Sequence, residues 1–414
     1  MTKITLRKTR ETRVRSGHPW LYASEIERVE GESAAGVAEV YSAKGTFLAR
    51  ALYNPASQIA LRILTTHDEP IDADFFARRV RTAWEYRQRF CDVNSCRAIY
   101  AEADFLPGLV VDKFGGVLVV QVLSLGMELW KHELTDILVE VIRPEGIYER
   151  NDVPVRRLEG MQETTGLLYG DVPDRVPMVE NGIVYAVDVK HGQKTGFFLD
   201  QKENRAAIAP LCPGARVIDM FCHNGSFALN AAKYGAREVT GVDISEKMLA
   251  VAREKTGSGD ARYIRAAMED VEFPDAAFDV ALSSLALHYV ADFGRMAEKV
   301  HRWLAPGGEF VFSIEHPIFT AYGSQDWHRD AEGNILHFPV DNYFFEGTRE
   351  AVFLGERVTK YHHTLTTILD GLLRRGFQLR RVVEPQPPER MLDMEGMRDE
   401  LRRPMMLLVA AQKA

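Results

Sequence analysis

The stretch of residues 215–245 constrains the fold more than any other part of this chain. It reads as a strand, a turn with one glycine, a helix and a second strand, in this order: 216–221, Gly225, 227–234 and 238–242. Such a unit presents backbone N–H groups to a ligand, and an acid about 20 residues past the glycine can accept both hydroxyls of a ribose. Asp243 has that position. The stretch therefore predicts a nucleoside-cofactor pocket in an α/β fold.

The number of glycines in the turn separates one class of nucleoside from another. Pyrophosphate sites use G-x-G-x-x-G, whereas residues 219–227 (DMFCHNGSF) contain only Gly225. S-adenosylmethionine has no phosphate, so one close approach and an acid such as Asp219 near its amino group are sufficient. The turn favours S-adenosylmethionine over NAD. An ordinary βαβ unit without a ligand is the alternative.

The elements after residue 245 extend this α/β pattern. The sequence predicts a strand over 278–284, then a helix with one face marked by Met296, Val300, Trp303 and Leu304. An Ala-Pro-Gly-Gly turn at 305–308, a strand over 309–314, a second helix over 364–375 and two last strands over 377–384 and 405–411 follow. This order is similar to class I S-adenosylmethionine-dependent methyltransferases. The resemblance implies a Rossmann-like seven-stranded sheet over residues 191–414, with an insertion at 317–360.

Composition limits the remaining possibilities. The 414 residues carry a formal net charge of -8, which argues against a uniformly basic coat for nucleic acid. Positive charge is instead concentrated at residues 1–16 and on a predicted helix over 74–90. The four cysteines have neither disulfide nor zinc spacing, so we expect no metal. With no apolar run of membrane length and no signal peptide, we expect no membrane partner and a cytoplasmic location.

Residues 1–72 are predicted to form a small β-barrel, because short strands near Ile4, 37–41, 47–53 and 59–64 alternate with turns. The runs SGHPWLYASEI (16–26) and GTFLARALYNP (45–55) resemble the PUA domain that opens the large-subunit ribosomal RNA cytosine-5 methyltransferases. That resemblance implies RNA binding. Trp20 and Tyr53 could stack on bases or lie in the core.

Residues 73–190 read as an α+β middle domain. EADFLPGLVVDKFGGVLVVQ (102–121) and IYERND (147–152) resemble the middle domain of the same RNA methyltransferases. The run QKTGFFLDQ (193–201) lies beside the cofactor in that family, which implies pocket roles for Thr195, Phe197 and Phe198. DMFCHNGSF matches the family's first cofactor loop, and this adds Phe221 and Asn224.

The match to the RNA methyltransferases then ends. Their pattern has an aspartate and two prolines after the fourth strand and a catalytic cysteine in the C-terminal half, whereas here the strand ends SSL and no cysteine follows Cys222. Addition of a thiolate to cytosine C6 is therefore absent from the expected chemistry. From about residue 241 the sequence resembles single-domain methyltransferases that act on small molecules. Residues 265–290 and the run KYHHTL (360–365) carry this resemblance. The chain has a composite appearance, natural or constructed.

Cofactor contacts are predicted from position along the strands. Asp219 and Gly225 would meet the methionine end and Asp243, with Ile244 beside it, the ribose. Met268 and Glu269 would meet the adenine, and Ser284 or Leu285 the methyl group. Histidine titrates near neutrality, so the candidate bases, in order of preference, are His316, His288, Tyr289 and His362.

The sequence leaves two main functions open, and a third is less favoured. The chain is expected to methylate RNA, which the resemblance implies is ribosomal, and to give a product other than 5-methylcytosine. It could instead methylate a small acceptor at nitrogen or oxygen, or be an inactive RNA-binding protein. The aromatic-rich stretch 320–360 is expected to cover the pocket as a lid or to form a structural subdomain. The oligomeric state is left open.

Overall fold

The computed structural model describes residues 2–31, 34–192, 194–256, 261–330, 335–353, 356–392 and 396–414. The chain divides into two compact units, Met1–Asp200 and Gln201–Ala414. Across the described ranges, no helix is both long and apolar enough to cross a membrane.

Residues 2–65 build one six-stranded sheet. Its elements are β1 Thr2–Leu6, α1 Glu11–Arg15, β2 Trp20–Leu21, β3 Ile26–Glu30, β4 Gly36–Tyr41, β5 Phe47–Tyr53 and β6 Leu61–Thr65. The strand order is β2-β6-β5-β4-β1-β3, with β1 and β4 parallel and the other neighbours antiparallel. The sequence missed β2 and β3, because β2 has two residues and β3 (IERVE) is mostly charged. Tyr53 is buried in the core, which favours the second of its two predicted roles, packing, over stacking on bases.

A five-stranded sheet with helices follows. Its elements are α2 Ala73–Phe90, β7 Ser95–Tyr100, β8 Leu109–Phe114, β9 Val117–Val122, α3 Leu125–Glu128, α4 Lys131–Ile142, β10 Gly146–Arg150, α5 Val155–Leu158 and β11 Thr165–Gly170. The strand order is β11-β10-β9-β8-β7. Asp72 begins α2 by accepting the Phe75 N–H at 2.9 Å, a normal N-cap contact. Leu129 and Trp130 separate α3 from α4.

One buried carboxylate joins these two sheets within the first unit. Glu159, 3% exposed, follows α5 and accepts hydrogen bonds from Asn54, Ser57 and Arg62 of the N-terminal sheet, at 3.1, 2.6 and 2.7 Å. A buried carboxylate is stable only when its oxygens are paired in this way. A hairpin of β12 Val176–Glu180 and β13 Ile183–Val187 completes the unit.

The second unit contains a seven-stranded sheet. The elements up to its fifth strand are α6 Lys202–Ala207, β14 Arg216–Met220, α7 Ser226–Lys233, β15 Glu238–Asp243, α8 Glu246–Lys255, β16 Arg262–Arg265, β17 Phe278–Ser284, α9 Phe293–Trp303 and β18 Leu304–Glu315. The rest are α10 Pro317–Ala321, β19 His328–Arg329, β20 Ile335–His337, β21 Gly347–Phe353, β22 Glu356–His362, a π-helical turn Thr366–Asp370, α11 Gly371–Leu373, β23 Phe377–Val383, α12 Met397–Glu400 and β24 Met406–Lys413.

The strand order of this sheet is β16-β15-β14-β17-β18-β24-β23. The first five strands are parallel, and β24 is antiparallel to both of its neighbours. The predicted seven-stranded α/β sheet ending in a hairpin is therefore confirmed. Because parallel strands share one carboxyl edge, the residues after β14, β15, β17 and β18 lie along the same side, where open α/β sheets bind ligands.

Candidate functional site

The turn after β14 alternates between ordinary and left-handed backbone. Phe221, His223 and Gly225 have φ values of 61°, 52° and 76°. A left-handed conformation costs about 1–2 kcal/mol for a residue with a side chain, so two of these three positions are strained. The sequence showed only the glycine. The strained positions follow the end of the strand and aim the backbone of the turn toward the carboxyl edge of the sheet.

Gly225 is crowded on the side where a side chain would begin. A Cβ at this position would lie 2.5 Å from the hydroxyl oxygen of Tyr263 and 3.0 Å from the Cβ of Ala252. The left-handed φ and the packing of Tyr263 are thus enough to require a glycine here. The predicted contact of Gly225 with the methionine end of the cofactor stays a prediction.

Asp219 is a buried acid at the end of β14. It is 3% exposed, and its Oδ2 accepts the backbone N–H of Ala228 in α7 at 3.1 Å. Burial, together with the nearby charge of Asp243, raises the pKa of Asp219 to about 8, although the hydrogen bond from Ala228 lowers it. The carboxyl group is therefore mostly protonated near neutral pH, and a nearby cation would favour its ionised form.

Asp243 ends β15 and binds two backbone N–H groups. Its Oδ2 accepts from His223 at 2.8 Å and its Oδ1 accepts from Ser245 at 2.9 Å. Ile244, directly after it, is 64% exposed, which is unusual for an isoleucine next to a parallel strand. A carboxylate beside an open apolar side chain has the chemistry that a ribose and its attached base require.

The other predicted cofactor residues of this unit have mixed environments. Phe221 is half-buried and Asn224 is buried, with its Oδ1 accepting from Ser226 Oγ at 2.6 Å. Met268 is buried, whereas Glu269 is exposed and its carbonyl accepts from Lys299 Nζ at 2.6 Å. These four residues lie in the turn after β14 and in the segment after β16.

Ser284 is the last residue of β17, and Leu285 follows it. Ser284 Oγ lies 3.4 Å from Gln201 Oε1, and the Leu285 N–H donates to Ser313 of β18 at 3.0 Å. Leu285 is left-handed, with φ of 51°. A strained residue at the carboxyl end of a central strand is common at ligand sites.

Thr195, Phe197 and Phe198 belong to the first unit. Thr195 Oγ1 donates to Asp112 Oδ2 at 2.6 Å, and Phe197 is 4% exposed against Tyr185, with ring centroids 4.9 Å apart. The ammonium of Lys194 lies over the Phe198 ring, with Nζ 4.6 Å from the ring centroid. All three contacts are internal to this unit, and their predicted cofactor role stays a prediction. Gln193, in the same motif, lies outside the described residues.

His316, the first candidate base, is fully buried and begins α10. Its Nδ1 accepts the Ile318 N–H at 3.0 Å, while its Nε2 lies 2.8 Å from Glu384 Oε1 without the geometry of a hydrogen bond. Burial lowers the pKa of His316 and outweighs the opposing effect of Glu384. This arrangement is that of a helix cap.

His362 is also fully buried, and both of its ring nitrogens have partners. Nδ1 lies 2.8 Å from Thr320 Oγ1, and Nε2 donates to the carbonyl of Tyr343 at 2.8 Å. Burial lowers its pKa, so the ring is neutral. A base needs a nitrogen that can reach its substrate, and these contacts instead tie β22 to the insertion.

His288 and Tyr289 lie just past β17, with ring centroids 4.5 Å apart. Burial lowers the pKa of His288 to about 4, and its Nδ1 accepts the Glu315 N–H at a long 3.4 Å. Burial, followed by the charge of Glu315, raises the pKa of Tyr289. His288 is thus neutral and Tyr289 protonated at neutral pH. Because Nδ1 of the neutral His288 ring accepts the Glu315 N–H, its Nε2 carries the proton and can donate a hydrogen bond, as the Tyr289 hydroxyl can. The four predicted base roles stay predictions.

The sequence missed a buried ion pair beside these two residues. Lys360 Nζ lies 2.7 Å from Glu315 Oε1 and 3.1 Å from Gln325 Oε1, and Gln325 Nε2 donates to Glu315 Oε2 at 2.8 Å. The side chains of Lys360 and Glu315 are 4% and 11% exposed. Buried ion pairs are costly to desolvate, and their charges perturb groups around them. No local pattern marks Lys360, which lies on an otherwise ordinary strand.

Comparisons with known proteins agree with this architecture. A family model described as a methyltransferase domain matches residues 218–312, and one described as a PUA-like domain matches residues 4–66. The ribosomal RNA large subunit methyltransferase I of Tolumonas auensis is 41% identical over 259 residues, which are 61% of this chain and 65% of that relative. The chain thus spans about 65% of the length of the curated relatives that it matches.

Two solved structures are similar as well. A putative S-adenosylmethionine-dependent methyltransferase from Listeria monocytogenes is 46% identical, with a TM-score of 0.49, covering 51% of this chain and 96% of that one. A putative methyltransferase, SMU.776, complexed with SAH, covers 100% of both chains at 14% identity and a TM-score of 0.63, a likeness of fold. The predicted PUA-like and methyltransferase domains are confirmed. The chain joins an N-terminal PUA-like domain to a methyltransferase domain of the class I fold.

Proposed function

We propose that this chain is an S-adenosylmethionine-dependent methyltransferase acting on RNA, ribosomal RNA first among candidates. One observation carries the proposal: Asp219 and Asp243 end adjacent parallel strands, and the intervening turn is tied to Asp243 by its hydrogen bond from His223 at 2.8 Å. The two carboxyl groups thus lie at one edge of the sheet in a fixed arrangement.

The residues at this edge fit the cofactor chemically. Asp219 would accept the ammonium of the methionine part, since a cation favours its ionised form. Asp243 would accept the ribose hydroxyls, and the exposed Ile244 would cover one face of the adenine. S-adenosylmethionine, when bound, supplies an electrophilic methyl group, which passes to the acceptor atom as its bond to sulfur breaks.

Protein groups at the acceptor side mainly position the acceptor and exclude water from it. Holding the acceptor in line can contribute about 7–11 kcal/mol, so neither a metal nor a covalent enzyme intermediate is required. His288, neutral and beside the Glu315–Lys360 pair, is the candidate to orient the acceptor by donating a hydrogen bond from Nε2. The stretch 320–360 would cover this region as a lid; residues 331–334 and 354–355 of that stretch lie outside the described residues.

The product would differ from 5-methylcytosine. Cytosine C5 becomes nucleophilic only after a thiolate adds to C6. Cys222 is 4% exposed within the cofactor turn, burial raises its pKa, and no cysteine follows it in the sequence. We therefore assign methylation to another atom of the RNA.

RNA as the substrate is supported by the front of the chain. The PUA-like match covers residues 4–66, and a relative 41% identical over 61% of this chain is named a ribosomal RNA large subunit methyltransferase. A small acceptor is the competing substrate, and an inactive RNA-binding protein is the third outcome.

Transfer of a radiolabelled methyl group tests these three outcomes together. Purified protein is incubated with labelled S-adenosylmethionine and either ribosomal RNA from cells lacking this protein or a metabolite extract. We expect the label to appear in RNA. Nuclease digestion of that RNA should then release a labelled methylated nucleoside other than 5-methylcytidine. Label only in the extract contradicts the RNA assignment, and RNA binding without any label transfer contradicts the enzyme.

A further inference from the structure

The five-stranded domain exposes four large aromatic side chains near α2. Their exposed fractions are between 49% and 63%, and they belong to the helix and to the segment after β7: Tyr86, Phe90, Tyr100 and Phe105. Such side chains are normally buried, and a group of them on one surface of a well-packed domain commonly marks an interaction site. We call these four residues the aromatic face.

Each ring of the aromatic face has its own arginine. The guanidinium carbon lies 5.0–5.4 Å from the ring centroid in the four pairs Arg79–Phe105, Arg87–Tyr86, Arg89–Phe90 and Arg97–Tyr100. These distances are within the range of a cation–π contact. The surface therefore combines flat apolar rings with delocalised positive charge at every ring.

The two segments that carry these residues are fixed to each other through Arg87. Its Nη1 and Nη2 donate to the carboxylate of Asp104 at 2.5 and 2.6 Å, and its Nε donates to the Arg97 carbonyl at 3.1 Å. Asp104 in turn accepts the Tyr100 N–H at 2.6 Å. The loop rings and the helix rings are thus parts of one preformed surface.

Along α2 the helix geometry aligns the contributing residues. Arg79, Tyr86 and Phe90 are separated by seven and four residues, so they lie on the same side of the helix. The Tyr86 and Phe90 ring centroids are 4.8 Å apart. From Arg79 to Phe90 the strip extends about 16 Å at the helical rise of about 1.5 Å per residue.

Charge distinguishes the kinds of partner that this surface fits. Arg87 and Arg97 are paired with Asp104 and Asp112, whereas within the described ranges Arg79 and Arg89 have no carboxylate at ion-pair distance. Glu69 still acts on Arg79 from beyond that distance. Guanidinium groups outside ion pairs, among stacking rings, suit a partner that offers flat bases and phosphates. Bases stack on aromatic rings and on guanidinium planes, and single strands expose them.

We infer that the aromatic face is a binding surface for single-stranded RNA, a conclusion that rests on the function proposed above. It places RNA contacts on the middle domain, in addition to those implied for the PUA-like domain. The bases would stack on the four rings while Arg79 and Arg89 approach the phosphates.

Fluorescence anisotropy with the full-length protein tests this surface. The probe is a labelled, unstructured oligoribonucleotide, titrated at several salt concentrations. The variants are the doubles Tyr86→Ala/Phe90→Ala and Tyr100→Ala/Phe105→Ala, together with Arg89→Gln. Tyr169→Ala is the matched control, because Tyr169 is 41% exposed on β11, at the opposite edge of the same sheet.

Each aromatic double variant should weaken RNA binding at least about fivefold, since stacking is worth about 1–3 kcal/mol per base. The salt dependence should remain that of the wild type, because no charge is removed. Arg89→Gln should reduce the salt dependence by about one phosphate contact. Tyr169→Ala should bind as the wild type does. Thermal unfolding checks that each variant is folded.

Wild-type affinity in both double variants, measured while the wild-type protein binds and methylates RNA, overturns the aromatic face and leaves the proposed function intact. A change in self-association without a change in RNA affinity also overturns it and indicates a second copy of the chain as the partner. If the wild-type protein neither binds the probe nor transfers label to RNA, the proposed function itself fails.

Discussion

The carboxylate of Asp243 accepts the backbone N–H of His223 at 2.8 Å, which ties the end of β15 to the turn after β14. His223 is left-handed, with φ of 52°, so the hydrogen bond holds a conformation that its side chain disfavours. One side chain therefore both shapes the turn and supplies an acceptor at the carboxyl edge of the sheet.

Replacement of Asp243 by alanine should weaken cofactor binding at least about 100-fold. Each hydrogen bond to a charged group contributes about 1.5–3 kcal/mol, and the ribose would lose two of them. Isothermal titration calorimetry measures the affinity. Glu238→Ala is the control, since Glu238 is exposed at the other end of β15. Near-normal affinity in Asp243→Ala would refute the ribose assignment.

Asp219 should make the stability of the cofactor-free protein depend on pH. Its pKa is about 8 when folded and about 3.9 in an unfolded chain, so the folded state holds a proton that the unfolded state releases. Its contribution is complete below about pH 4 and is lost as the pH rises toward about 8. In Asp219→Asn, which keeps an acceptor for the Ala228 N–H, this decline should be smaller in denaturant titrations.

The same residue predicts proton release on cofactor binding. If the ammonium of S-adenosylmethionine ionises Asp219, calorimetry at about pH 7 should give binding enthalpies that differ between buffers of different ionisation enthalpy. Asp219→Asn should show a smaller difference. Equal proton release by the two proteins would show that Asp219 does not meet the ammonium.

The sheet was predictable because its strands are local signals. Central parallel strands are buried on both faces and read as continuous apolar runs, so Phe278–Ser284 was predicted with the bounds that the structure has. In contrast, β3 and β11 carry charged or exposed residues and gave no such signal. The division between α3 and α4 likewise has no proline or glycine to announce it.

The site was less predictable because its decisive contacts join distant residues. Spacing placed Asp219 and Asp243 correctly at the ends of β14 and β15. Nothing near Gly225 indicates that Tyr263 fills the space beside it, and nothing near Glu315 indicates Lys360, 45 residues later, as its partner. Residue type, and for His316 the position after a strand, marked His316 and His362 as candidate bases. Their burial and hydrogen bonds, which join distant residues, were not visible in the sequence.

His316 should therefore act on stability rather than on rate. Loss of the cap in His316→Ala should destabilise the protein by about 1 kcal/mol, and His316→Asn should recover most of it because asparagine is a good N-cap residue. Methyl-transfer rates of both variants, measured where they are fully folded, should stay near that of the wild type. Loss of a general base typically lowers the rate about 10²–10⁴-fold. A folded His316→Asn protein whose methyl-transfer rate falls by about 100-fold or more would therefore restore His316 as the base.

Alanine at Gly225 should be more disruptive than backbone strain alone explains. Gly225 and Gly307 have nearly equal φ values of 76° and 77°, so alanine at either position should cost about 1–2 kcal/mol in strain. Only at Gly225 does the new methyl group meet a neighbour, the Tyr263 hydroxyl oxygen at 2.5 Å; at Gly307 no atom lies within 4 Å. Gly225→Ala should thus lower the free energy of unfolding by more than Gly307→Ala does, with an excess of about 1–3 kcal/mol from overpacking.

Adding Tyr263→Leu should remove part of that excess, because the shorter side chain vacates the space of the phenol. Equal losses for the two glycine variants in denaturant titrations would mean that Tyr263 moves aside freely, and the glycine would then be explained by its backbone conformation alone.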